Sequence, residues 1–167
     1  MKRLFCVMIA VILSVFSTGC NRHNTAKTNL ATFYYIHNDI NYGTTSGVIA
    51  PMTVELPGGA LNYKKVLDQY FNGPTNYDCI SPFPAGISLE DIQFNNDRAE
   101  LLLSPHMAIL ADASMTVALA CLTRTVVELT GVKAVQISIQ NNQINGSDTI
   151  TLTLNNFAYF DDVQPVS

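Results

Sequence analysis

Residues 119–139 read LACLTRTVVELTGVKAVQISI, and inside this stretch the chain changes its period. Met115, Leu119, Leu122, Val126 and Leu129 recur at three- and four-residue steps, the buried stripe of an amphipathic helix. Gly131 supplies a residue able to take the left-handed closing conformation. From Lys133 to Ile139 the apolar positions Val135, Ile137 and Ile139 alternate, as in a strand with one face inward. A long helix therefore runs through one glycine break into a strand.

Upstream, Asp112 and Ser114 are both suitable caps for that helix. Before it, Ile92 and Phe94 alternate on one side of Asn95-Asn96-Asp97, and Ala99, Leu101 and Leu103 on the other, which predicts a hairpin. Thr75 to Gly86 is irregular and ends in Pro82-Phe83-Pro84-Ala85-Gly86. Tyr63, Val66, Leu67, Tyr70 and Phe71 mark a shorter helix that Gly73-Pro74 stops. Thr32–Ile36 and Met52–Leu56 read as strands, separated by a His37–Gly47 loop rich in Asn and Gly. Downstream, Ile150, Leu152 and Leu154 alternate in a last strand. The order β-β-α-β-β-α-β-β predicts an α+β fold, a mixed sheet with two helices packed mainly on one face.

The chain opens differently. Lys2 and Arg3 precede an apolar run from Leu4 to Phe16, broken only by Ser14. That length suits the h-region of a signal peptide and falls short of the ~20 residues of a membrane span. Ser17-Thr18-Gly19-Cys20 follows. Cleavage before Cys20 fits a bacterial lipoprotein signal, in which Cys20 is acylated and becomes the new N-terminus. Ser17 stands where the lipobox has an apolar residue, and an ordinary secretory site would cut the same bond. The lipid reading is favoured, because a free cysteine at a new N-terminus has no structural use. Two or more acyl chains on one residue hold a protein to a membrane stably. The expected organisation is a signal peptide at 1–19, a polar tether at 20–29, a domain at 30–160 and a tail at 161–167. The tether (NRHNTAKTN, 21–29) reaches at most ~30 Å when extended.

Loss of Lys2 and Arg3 leaves 7 of the 9 basic side chains against 13 acidic ones, a mature charge of about −6. No basic patch exists to hold a phosphate backbone, which excludes nucleic acid as a partner. Cys6 leaves with the signal, so Cys79 and Cys121 remain. They either pair in an exported protein or lie apart as two small buried hydrophobes, the second being the simpler reading.

Chemical sites are sparse. Ser104, His106 and Asp112 are close in sequence, yet no Gly-x-Ser-x-Gly elbow surrounds Ser104. His37-Asn38-Asp39 offers two ligands at a strand end, and Glu90-Asp91 and Asp161-Asp162 are acidic pairs without the spacing of a calcium loop. Pro57-Gly58-Gly59 lacks the Lys and Ser/Thr of a phosphate loop. Asn145-Gly146-Ser147 matches a glycosylation sequon only by chance in this context. No catalytic, cofactor-binding or metal residue is therefore assigned; the one assigned site is lipidation at Cys20.

The order of landmarks resembles the GerMN domain of the sporulation and spore germination family. They are Ala60-Leu61 through Asn72-Gly73-Pro74, Phe83-Pro84-Ala85-Gly86, Ile92 to Ser104, and the opening stretch with its Thr130-Gly131-Val132-Lys133 junction. The resemblance spans about Thr32 to Ile144, and Arg124 departs from it where a milder residue is expected. It implies a fold similar to ring-building domains of secretion machines and no known reaction. It further implies a lipid-anchored lipoprotein on the extracytoplasmic face of the cell membrane, binding another envelope protein in an assembly role. Two readings stand. One is that interaction module, docking through an exposed sheet edge or helix face. The other is a ligand- or cell-wall-binding lipoprotein with Tyr34, Tyr35, Tyr42, Tyr63 and Tyr77 lining a pocket, against which core packing of those rings is favoured.

Overall fold

The computed structural model of the chain describes residues 28–38 and 47–157. The expected signal peptide, Cys20, nearly all of the tether, Asp39, Tyr42 and the tail lie outside the described residues. Within them the order is β1 (Asn29–His37), β2 (Ile49–Leu56), α1 (Tyr63–Phe71), β3 (Cys79–Ile80), β4 (Leu89–Asn95), β5 (Arg98–Leu103), α2 (Asp112–Thr130), β6 (Ala134–Ile139) and β7 (Thr149–Leu152). Short 3₁₀ turns occupy Pro105–Ile109 and Leu154–Phe157. Leu154 thus closes no strand; β7 ends two residues earlier.

The fold is α+β with both helices where the periodicity puts them. The strands are shared between two sheets, an antiparallel one ordered β2-β1-β3 and a mixed one ordered β4-β5-β6-β7. In the second sheet β5 and β6 run parallel, joined by α2, while the outer pairs are antiparallel. The short strand β3 pairs with β1 only at Ile36↔Ile80 and His37↔Cys79. Two residues inside a Pro-rich stretch leave no alternation to read, so this strand is invisible to periodicity.

Local chemistry accounts for the ends of the helices. The Asn62 side chain accepts from Lys65 N at 3.1 Å and opens α1. At the start of α2, Ala111 has no side-chain oxygen to offer. Ser114 does the work from one turn inside, its Oγ accepting from Ala111 N at 3.3 Å and donating to Ala111 O at 2.6 Å. Gly131 closes α2 at φ +76, with its N–H on Val127 O at 2.8 Å. The chain is then pinned to the β4–β5 turn, where Asp97 O accepts from both Lys133 N and Ala134 N.

One continuous core joins both sheets. Phe33 and Tyr35 of β1, Leu67 and Tyr70 of α1, Leu101 and Leu103 of β5, Leu122 and Val126 of α2, and Val135 and Ile137 of β6 are all buried in it. Each such side chain removed from water contributes about 1.5–3 kcal/mol before entropy is counted. A second, smaller cluster lies on the opposite face of β1, where Tyr34 and Ile49 meet Ala120 and Cys121 of α2. So α2 lies along the edge of β1 and presents a side to each face of that strand.

Candidate functional site

The candidate catalytic and metal residues do not converge. Ser104 Oγ accepts from Ser88 N at 3.0 Å, and the His106 ring packs against Gly86. Asp112 is exposed at the start of α2, with its backbone in the left-handed region at φ 47. Glu90 accepts from Ser88 Oγ and Asp91 from Gln93 Nε2, each serving a local bond. Among the described residues no group of three or more His, Cys, Asp or Glu side chains could hold a metal ion. Cys79 and Cys121 are free thiols, both buried. Burial pushes the Cys121 thiol up to about 12 and raises Cys79 as well. Asn145-Gly146-Ser147 forms a tight turn, with reciprocal bonds between Ile144 and Ser147 at 2.8 and 3.0 Å.

The tyrosines within the described residues sit in separate surroundings, and Tyr42 lies outside those residues. Tyr35 is a core side chain whose hydroxyl donates to Tyr70 O at 2.9 Å. Tyr63 stacks on Phe94 at 5.2 Å between centroids. Tyr77 is 93% exposed on the loop before β3. Tyr34 donates its hydroxyl to Glu128, and the Arg124 guanidinium lies over its ring at 4.5 Å. Burial first, then the bond to Glu128, raises the Tyr34 phenol. The stacking gives Arg124 its place. What looks out of pattern in sequence is a cation–π partner for the buried Tyr34 ring.

The main chain of β1 carries the distinctive feature. Antiparallel pairing sends alternate residues' N–H and C=O groups to opposite edges. His37 N bonds Val48 O at 3.1 Å, so odd-numbered residues face β2. Even-numbered residues face the other edge, where Ile36 meets β3. Among the described residues no strand meets Tyr34 on this edge. Instead Thr125 Oγ1 accepts from Tyr34 N at 3.0 Å, and the Tyr70 hydroxyl donates to Tyr34 O at 2.7 Å. Thr125 and Tyr70 meet on the same residue from opposite helices. Two side chains, from two helices, thus satisfy the peptide groups that a neighbouring strand would take. Thr125 is fully buried, as a polar group so bonded can be.

Beyond that seal no described strand continues along the edge. Among the described residues nothing pairs with the outward groups of Leu30 and Thr32. They border a groove of about 200 Å³ with Leu56, Leu61, Glu128 and Leu129. Leu30 is 71% exposed. On the far side of the same sheet, β2 presents Pro51, Thr53 and Glu55 to solvent. Pro51 stands opposite Tyr34 with its missing N–H on the outer edge. A proline within a strand and a threonine inside a buried helical stripe were the sequence signals for this arrangement. Neither says which edge is left open.

The second sheet offers a contrast. Its outer face is polar, with Asp91, Gln93, Glu100, Gln136 and Ser138 around a shallow depression of about 180 Å³. Arg98 and Glu100 pair there at 2.7 Å.

Among curated proteins none matches the chain in sequence. The fold is similar to the tandem GerMN domains of the sporulation protein GerM from Bacillus subtilis, with a TM-score of 0.59 at 17% identity, over 82% of this chain and 49% of that one. This chain therefore spans about half the length of the tandem structure. The first GerMN domain of the same Bacillus subtilis protein matches with a TM-score of 0.54 at 17% identity, over 72% of this chain and 86% of that one. At such identity the likeness establishes a shared fold. The family model Germane, described as sporulation and spore germination, matches residues 32–145, and by that match across most of its length the chain belongs to the Germane family.

Proposed function

We propose that the chain is a non-enzymatic interaction module, anchored to the extracytoplasmic face of the cell membrane by lipid on Cys20, which binds another envelope protein during sporulation or spore germination. The observation that carries this reading is the edge of β1 at Leu30 and Thr32, unpaired among the described residues and bordering an apolar groove. Family membership supports the developmental setting. The separate local surroundings of Ser104, bonded to Ser88, of His106, packed on Gly86, and of Asp112, exposed at the start of α2, support a role without catalysis. The amino-terminal pattern of Lys2-Arg3, the apolar run and Cys20 supports the anchor.

The test is an intact mass of the protein extracted from membranes of its host, in growing and in spore-forming cultures. The expected species begins at Cys20, carries diacylglyceryl mass, and is present only in the spore-forming culture. Unmodified Cys20 in the medium would overturn the anchor. Lipidated protein at constant level in growing cells would overturn the developmental setting.

A further inference from the structure

We propose that Asn145 is a site of spontaneous modification, at which the side-chain amide is lost to attack by the following glycine nitrogen and the turn between β6 and β7 comes undone. The inference is independent of the anchor and of any partner. It follows from where the fold places two like dipeptides.

The sequence contains Asn-Gly twice, at Asn72-Gly73 and at Asn145-Gly146. In such a pair the glycine nitrogen, uncrowded by a side chain, attacks Cγ of the asparagine. The nitrogen gives up its proton, the side-chain amide leaves as ammonia, and a cyclic imide closes. Water then opens the imide at either carbonyl, leaving an aspartyl or an isoaspartyl residue. One water enters, one ammonia leaves, and no electron is transferred. The reaction needs a glycine N–H free of an acceptor and a backbone able to turn between the two residues.

The fold treats the two pairs differently. Asn72 ends α1 with a helical backbone, φ −65 and ψ −12. Its N–H bonds Asp68 O and Gln69 O, and the Gly73 N–H donates to Tyr70 O at 3.1 Å. The nitrogen that would attack is thus tied to a carbonyl of a fully buried residue. Asn145 and Gly146 are instead the exposed central pair of a two-residue turn, both at positive φ, 51 and 79. The reciprocal bonds of that turn belong to Ile144 and Ser147, outside the dipeptide. Among the described residues the Gly146 N–H has no partner. A closed turn of this kind holds ψ of its first central residue near about +30, with the next nitrogen roughly anti to Cβ, so conversion waits on opening. The gate is two backbone hydrogen bonds. Its product cannot close again, because an isoaspartyl residue lengthens the main chain by one carbon. The Ile144–Ser147 bonds then fall out of register, beside the fully buried Ile144 and the Gln143–Asp148 bond of 2.9 Å that pins the loop.

The test is ageing of the purified protein at mildly alkaline pH, folded and in urea, with peptide mapping at both asparagines. In urea the two pairs should convert at like rates. In the folded chain Asn145 should convert about tenfold more slowly than in urea, the factor that two net backbone hydrogen bonds supply, and Asn72 should lag well behind it. Gly146→Ala crowds the nitrogen and should suppress conversion at Asn145 in urea, where folding plays no part, while leaving Asn72 unchanged. The converted chain carries one more negative charge and separates by ion exchange. Its Ile144 and Ser147 amides should exchange hydrogen faster than those of the unconverted chain. Equal conversion of the two asparagines in the folded chain, or Asn72 converting first, overturns the proposal. So does a folded chain in which Asn145 stays intact, conversion indifferent to Gly146→Ala, or unchanged exchange at Ile144 and Ser147 in the converted fraction.

Discussion

Thr125→Val and Tyr70→Phe test the seal on β1 atom by atom. Valine keeps the shape of threonine but loses the acceptor that Tyr34 N reaches at 3.0 Å. Phenylalanine keeps the ring but loses the donor that serves Tyr34 O at 2.7 Å. Each change leaves a buried backbone group without a partner, at about 1–3 kcal/mol. Against a typical domain stability of about 5–15 kcal/mol, either is a large fraction. Each kcal/mol lowers Tm by about 3–5 °C for a domain of this size. Thr125 and Tyr70 serve the N–H and C=O of the same residue, so their effects should not add. The double variant is expected to cost less than the sum, with a coupling of at least about 0.5 kcal/mol. Urea unfolding of the four proteins closes the cycle, and Thr125→Ser, which retains the oxygen, should recover most of the loss. Hydrogen exchange at Tyr34 N–H should accelerate in Thr125→Val. A cost below about 0.5 kcal/mol for both single variants, with Tyr34 exchange unchanged, would refute the seal.

Other consequences are simpler to measure. Gly131→Ala forces a side chain into the left-handed region with nothing within 4 Å to clash, so the loss, about 1–2 kcal/mol in urea unfolding, is purely conformational. Cys79 and Cys121 should resist a disulfide reagent in the native chain at pH 8 and react only on unfolding, since both are buried with raised pKa values. Stability should fall as pH rises above about 9 and continue to fall toward 12. Cys121, Tyr35 and Tyr70 all have raised pKa values, so the native state holds protons there that the unfolded chain has released. Melts at pH 7, 9 and 10.5 check the sign; a flat profile would contradict it.

Much of the fold is legible because it is written in local periods. The stripe of α2, the glycine at 131 and the alternation of β6 each need only neighbouring residues to be read. The hairpin turn is equally local, and Asn96 indeed takes a positive φ of 53. The division into two sheets is not local. It depends on bonds between residues 91 and 36 positions apart, Tyr34 with Thr125 and with Tyr70, which no window along the chain contains. Arg124 looks misplaced in sequence for the same reason, because the ring it covers lies ninety positions earlier. The open edge shares this origin, since a strand's neighbours follow from the whole topology.

Pro51 gives the antiparallel sheet a polarity of growth. Strands that pair edge to edge can recruit copies without limit, each newcomer offering its own free flank to the next. Here the outer flank of β2 is interrupted at Pro51 by a residue with no hydrogen to donate. Growth of the sheet along β2 is thereby disfavoured at the proline.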